Sequence, residues 1–330
     1  MKKFLSILAV LAMVLGLSAC STTSKVKTIK VGVAIYKFDD TFMTNYRTEM
    51  EAYFKTLSTD KITYAVTTVD GKNDQVTQTE QIDNFIAQKY DVLVVNLVDL
   101  TAASTIIGKV KAANIPTVFI NRQPSDADMA LWDRITYVGA KAEDSGTFQG
   151  QIIAELWKAA GSKLDVNKDG VLQYVMLMGQ AIHQDAALRT EYSIKALVDA
   201  GIKVEKLYED RGDWDRVKGQ EKMATAITQF GNKIEVVFAN NDDMALGAIE
   251  ALKAANMTTI PVVGVDATAP ALDAVAAGTL VGTVLNDSKG QSHTSADLAI
   301  KLFNKTTVDK LNWVPYVKVT PANYKDFIAK

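Results

Sequence analysis

Asp165, Asn167 and Asp169 stand at alternate positions, and Gly170 follows them. Alternating side-chain oxygens can wrap a hard cation, and the glycine allows the sharp turn such a loop makes. Continuing the pattern, Val171 would offer its backbone carbonyl at position seven, and Gln173 falls at position nine. Position twelve is Met176, which has no carboxylate, so the loop is not a complete EF-hand. A turn rich in Asp and Asn ahead of a strand is the competing reading.

A second set of residues suggests different chemistry. Asp40 and Phe42, Asn121, the group His183, Asp185 and Arg189, then Trp214, Asn241, Asp266 and Asn286 recur through the chain in similar settings. Carboxylates, amides, one guanidinium and one imidazole supply many donors and acceptors with little net charge. A neutral polyhydroxylated molecule fits, because each hydroxyl both donates and accepts. The rings of Phe42 and Trp214 suit the C–H faces of a pyranose. A phosphorylated ligand would call for a glycine-rich loop, and the chain has no G-x-x-x-x-G-K-[ST] and no G-x-G-x-x-G after its first strand. Taken singly, each Asp or Asn is also what a helix N-cap or turn prefers.

The frame that must position them is an alternation of short β-branched runs and longer amphipathic stretches from Thr28 onward. Strands are predicted over 29–35, 62–69, 91–96, 116–121, 135–139, 171–178, 203–208, 235–239, 261–265 and 280–285. Helices are predicted over 42–57, 74–88, 102–113, 143–160, 185–200, 216–229 and 242–255. A βαβα order with buried-looking strands means parallel sheet covered by helices on both faces. So many strands suit two sheets of ordinary width better than one, with a domain change near Gly139. In such sheets ligands bind beyond the carboxyl ends of strands, and the polar residues named above follow seven of those ends. That recurrence favours a polar ligand site over seven separate caps.

Composition narrows the class. The 330 residues are 48% hydrophobic and 22% charged, which excludes a mostly disordered chain and leaves ample material for two cores. A formal charge of −2 argues against a general nucleic-acid binder. One Cys excludes an internal disulfide framework and a multi-cysteine zinc site, and two His, at 183 and 293, leave no histidine cluster for a metal.

Lys2 and Lys3 precede a nearly unbroken apolar run from Phe4 to Leu17, too short to span a bilayer and matched to a secretory signal. Leu17-Ser18-Ala19-Cys20 follows at once and resembles the bacterial lipobox, in which the cysteine is lipidated and becomes the new N-terminus. Residues 1–19 are thus expected to be a signal peptide and 20–27 a lipidated cysteine with a polar tether. The body would be held at a membrane surface, in the periplasm or on the outer face of the cytoplasmic membrane.

With those residues in view, residues 28–320 resemble the galactose/glucose-binding members of the type I periplasmic binding proteins. Six blocks carry the resemblance: Ile35 to Phe42, Asn96-Leu97-Val98-Asp99, Asp165 to Gly170, Ala239-Asn240-Asn241-Asp242, Gly264-Val265-Asp266-Ala267 and Gly282 to Asp287. The resemblance implies two doubly wound α/β lobes joined by a three-segment hinge. The first lobe would comprise 28–139 plus 287–313 and the second 140–286 plus 314–330, with crossings near 139–141, 286–290 and 312–316. A sugar would lie between them, with Asp40 and Asn121 bonding hydroxyls and Phe42 and Trp214 stacking on opposite ring faces. His183, Asp185, Arg189, Asn241, Asp266 and Asn286 would complete the shell. D-galactose and D-glucose would both bind, for delivery to an ABC permease and, in some family members, to a chemoreceptor; a monomer without enzymatic activity is expected. The same resemblance implies a structural Ca²⁺ held by Asp165, Asn167, Asp169, Val171 and Gln173, with the missing carboxylate supplied by distant Glu235. Two rival functions stand beside it. Asp40 and Asp266 could form the carboxylate pair of an exported sugar-processing enzyme. A sugar-sensing repressor shares the fold, but here an export signal occupies the place of its helix-turn-helix.

Overall fold

The computed structural model describes residues 26–160 and 164–328. The signal segment and Cys20 lie outside the described residues. Strand β1 (Lys27–Ile35) is followed by α1 (Thr41–Leu57), β2 (Ile62–Asp70), α2 (Gln75–Ala87), β3 (Val92–Val95), α3 (Ala103–Ala112), β4 (Thr117–Ile120), α4 (Asp126–Met129) and β5 (Ile135–Gly139). These strands form one parallel sheet in the order β11-β5-β4-β3-β1-β2, closed at its edge by β11 (Leu311–Trp313) from late in the chain. Alternation along β1 sends Val31, Val33 and Ile35 to one face and Ala34 to the other. The first face meets Met43, Tyr46, Met50 and Phe54 of α1 and Ala296, Ala299 and Leu302 of α10 (Ser288–Phe303). The second meets Ile82 and Phe85 of α2 and Ile106, Ile107 and Val110 of α3. Both faces are therefore dry, as a parallel sheet requires.

A second sheet, in the order β7-β6-β8-β9, is built from β6 (Val171–Met178), β7 (Lys203–Arg211), β8 (Val236–Ala239) and β9 (Val262–Val263), again parallel. Helices α5 (Ala142–Ala160) and α6 (Gln184–Asp199) cover one face, and α7 (Arg216–Phe230), α8 (Asp242–Ala254) and α9 (Ala269–Ala276) cover the other. The chain passes between the two lobes three times. It leaves β5 at Gly139 for α5, returns after β10 (Thr283–Leu285) into α10, and leaves β11 for β12 (Val317–Val319).

Two features depart from the all-parallel expectation. β10 pairs antiparallel with β12, and the strand expected over 280–285 is shortened to three residues. The cause is the third crossing: β12 arrives from the first lobe and so runs opposite to β10. The stretch 123–134, expected to be irregular, contains the short helix α4, closed by a capping box between Ser125 and Asp128.

Candidate functional site

The carboxyl ends of both sheets face one cavity, lined by Tyr36, Asp40, Phe42, Met43, Asn121, Arg122, His183, Arg189, Trp214, Asn241, Asp266 and Asn286. Nine of the ten residues expected to bind sugar therefore meet there, from segments up to 246 positions apart in sequence. The tenth, Asp185, is not among the lining residues; its carboxylate accepts from Arg189, which is.

Several of these residues are helix caps as well as cavity residues. Asp40 caps α1, accepting the Met43 N–H on Oδ1 at 2.7 Å, while its Oδ2 accepts the Tyr36 hydroxyl at 2.6 Å. Asn241 caps α8 through its Oδ1 and donates from its amide to the Trp214 carbonyl at 3.2 Å. His183 caps α6 by accepting the Asp185 N–H on Nδ1 at 3.1 Å. Capping fixes each side chain to a rigid element, and the bonds of Asp40 to Tyr36 and of Asn241 to the Trp214 carbonyl set the orientation of those groups in the cavity wall.

The backbone is strained at three of these positions. Asn121, Trp214 and Asp266 have φ of +60°, +71° and +120°, a region L residues rarely adopt. Asn and Asp tolerate positive φ better than an aromatic does, so Trp214 is held there by its surroundings. The Asn241 amide holds its carbonyl, and a Cβ at Gly179 would sit 2.1 Å from its ring, so glycine leaves the space the indole occupies.

Burial sets the charges. Desolvation, then Arg122 and Arg189, push the His183 imidazole well below its usual pKa, so the ring is neutral. Because Nδ1 accepts a backbone N–H, the proton sits on Nε2, 3.4 Å from the Asn121 Oδ1 of the other lobe. The 3.6 Å approach of His183 to Asp185 is consequently not an ion pair. Burial pushes Asp185 up to about 6 against the pull of Arg189. Burial also drives Asp266 well above the ordinary carboxylate range, again opposed by Arg189. Arg189 loses hydration on burial, but Tyr316, Asp185 and Asp266 outweigh that loss and keep it charged. It donates to the Asn240 carbonyl at 2.7 Å, the Tyr316 hydroxyl at 2.9 Å and Asp185 at 3.3 Å. Three buried N–H groups, Nε of Arg122, Nε of Arg189 and Nε1 of Trp214, find no partner among the described residues. A buried donor left unpaired costs about 1–3 kcal/mol, so the lining favours a ligand rich in acceptors.

Tyr36, Met43 and Arg122 also line the cavity, although the sequence did not single them out as binding residues. The one available signal was that Arg122 follows Asn121 at a strand end.

The acidic loop lies apart, before β6. Asp165 accepts the Asp169 and Gly170 N–H groups at 3.0 and 2.9 Å, and Asp169 accepts the Val171 N–H at 2.8 Å. Buried Glu235 reaches the loop, accepting the Val166 and Gln173 N–H groups at 2.6 and 3.0 Å. Asn167 and Gln173 both donate to Asp169 Oδ2. Among the described residues, no three His, Cys, Asp or Glu side chains gather closely enough to hold a metal by themselves. The donor set instead mixes carboxylates with amide and carbonyl oxygens, and the Gln173 Oε1 is buried without a partner. Hard oxygen donors of this kind fit Ca²⁺.

The matched family model, a periplasmic binding protein domain, covers residues 31–307. The D-galactose/methyl-galactoside binding periplasmic protein MglB of Haemophilus influenzae is 38% identical over 98% of both chains. A putative rhizopine-binding protein of Rhizobium meliloti is 36% identical over the whole of both. Among solved structures, an ABC transporter solute binding protein from Bacillus halodurans with bound myo-inositol is 29% identical. It superposes with a TM-score of 0.79, covering 92% of this chain and 99% of its own.

Proposed function

The chain belongs to the periplasmic binding protein family, and from that premise we propose that it is an exported receptor for D-galactose and D-glucose. The observation that carries the proposal is the composition of the cavity lining. Two carboxyl groups, Asp40 and Asp266, and two guanidinium groups, Arg122 and Arg189, the latter already bonded to Asp185, stand amid amides, a neutral imidazole and two aromatic rings. A neutral polyol flanked by ring faces satisfies such a lining, and an ionic ligand does not. Asp40 and Asn121 hold the sugar from the first lobe with Phe42. His183, Arg189, Trp214, Asn241, Asp266 and Asn286 hold it from the second and the hinge. Asp185 acts through Arg189.

Full-length similarity to a galactoside-binding relative favours the hexose. A cyclitol is the second reading, supported by the rhizopine-binding relative and by the solved structure containing myo-inositol. A calorimetric panel of D-galactose, D-glucose, methyl-galactoside, myo-inositol, D-ribose and D-xylose separates them. Tightest binding of the two hexoses supports the first reading, and preference for myo-inositol replaces it with the second. Recovery of every ligand unchanged after incubation is expected of a receptor; any turned-over product revives the enzyme.

Delivery to an ABC importer follows from the solute-binding relatives. Lipidation at Cys20 is tested by acyl-chain incorporation, which Cys20→Ser abolishes if the anchor is real. Asp165, Asn167, Asp169, Val171, Gln173 and Glu235 would hold Ca²⁺. Bound there, the ion would supply structural cross-linking of the loop to β6 and β8, away from the sugar cavity.

A further inference from the structure

Arg122 stands out among the residues that motifs did not reveal. Its side chain is 1% exposed, which is unusual for arginine. Its guanidinium carbon lies 3.9 Å from the centre of the Tyr36 ring, and Tyr36 donates its hydroxyl to Asp40. One terminal nitrogen donates to the Val98 carbonyl of the first lobe. The other donates at 2.6 Å to Oε1 of Gln180, which follows β6 in the second lobe. Gln180 in turn donates at 3.3 Å to Asn73 of the first lobe.

We propose that Arg122 is a positioning residue that couples sugar recognition to lobe closure, through its packing on the Tyr36–Asp40 pair and its bond to Gln180. Arg122 and Gln180 belong to different lobes, so their bond exists only while the lobes approach each other as they do here. The stacking involves first-lobe residues alone: Arg122 packs on the Tyr36 ring, whose hydroxyl orients Asp40. A sugar that engages Asp40 thereby meets a first lobe already shaped to capture the second. Losing a hydrogen bond to a charged group is expected to shorten ligand residence by roughly tenfold to a hundredfold. The inference rests on the sugar-binding reading above.

The test uses the full chain, D-galactose, stopped-flow kinetics and small-angle scattering. Gln180→Ala leaves Arg122, Tyr36 and Asp40 in place, and it is expected to speed sugar release about tenfold with little change in association. The sugar-bound particle should also compact less. Gln180→Glu places a carboxylate opposite the guanidinium and is expected to slow release about tenfold. That gain should vanish when Arg122→Lys, which cannot span the same fork, is added. Release rates unchanged in both Gln180 variants, or a Gln180→Glu effect that survives Arg122→Lys, overturn the coupling. If the unaltered chain shows no galactose binding, the sugar reading itself fails. Wild-type binding with insensitive Gln180 variants removes the coupling alone.

Discussion

The cavity between the lobes and the loop at 165–170 are both polar clusters, but they handle their hydrogen bonds in opposite ways. In the loop, Asp165, Asp169 and Glu235 already accept five backbone N–H bonds among them, and Gln173 Oε1 is the buried oxygen left without a partner. In the cavity, three donors on Arg122, Arg189 and Trp214 are left over. The loop is a turn that closes on itself, with oxygen atoms to offer a cation. The cavity is a surface completed by an acceptor-rich ligand. Desolvation acts on carboxyl groups in both regions, and hydrogen bonding reverses its effect at one of them. Burial raises Asp185 and Asp266 in the cavity wall and Glu235 beside the loop, whereas Asp169, although desolvation pushes it up, is lowered on balance by hydrogen bonds from Val171, Gln173 and Asn167.

Removing the cation that organises the cavity is the most damaging single change to that side of the comparison. Arg189→Met leaves Asp185, Tyr316 and the Asn240 carbonyl without their donor, and it is expected to cost about 3–5 kcal/mol of stability by denaturant titration. A loss below 1 kcal/mol would mean that the cavity is as self-sufficient as the loop.

The next effect is in pH. Asp185 titrates near 6 when folded and near its ordinary value of 3.8 when unfolded. The folded state therefore binds the proton more tightly, and stability from this group is present below about pH 4 and lost as pH rises to about 6. The change is about 3 kcal/mol across that window. Asp185→Asn should flatten it. Asp169 works the other way, contributing above its ordinary pKa and losing that contribution in acid, so Asp169→Asn should leave the fall between pH 4 and 6 intact.

A smaller effect tests the loop. With calcium at a hundred times its dissociation constant, the expected stabilisation is about 2.7 kcal/mol. That corresponds to a melting temperature about 4 °C higher than in chelator for a body of roughly 300 residues. Asp165→Ala should remove the calcium response. A chelator-insensitive melting curve would reduce the loop to an Asx-rich turn.

The smallest effect sharpens the geometry. Gly179→Ala puts a methyl group where the Trp214 ring lies, so affinity for galactose should fall about tenfold, with a loss of about 1–3 kcal/mol in stability from the overpacking. Unchanged affinity would mean that the indole is free to shift.

Much of this organisation was legible in the sequence because strand ends in parallel sheets are marked by residues with two jobs. Asp40, His183 and Asn241 announce themselves as helix caps, and the same geometry aims them at the cavity. Arg122 and Tyr36 gave no such signal. Neither caps a helix or belongs to a spaced motif, and their roles depend on a stacking contact that only the folded strands create. The same limit applies to β12: Val317-Lys318-Val319 is too short to show periodicity, and its partner β10 lies 32 residues earlier. Asp185 sits beside His183 and Arg189 in sequence, and in the fold its carboxylate bonds Arg189, a cavity residue.

The central claim is that one sugar is held by both lobes at once, and titration calorimetry with D-galactose tests it most directly. The account predicts one saturable site per chain, lost both in Asn121→Ala from the first lobe and in Trp214→Ala from the second, with each variant still folded. Saturable binding that survives either substitution would contradict it.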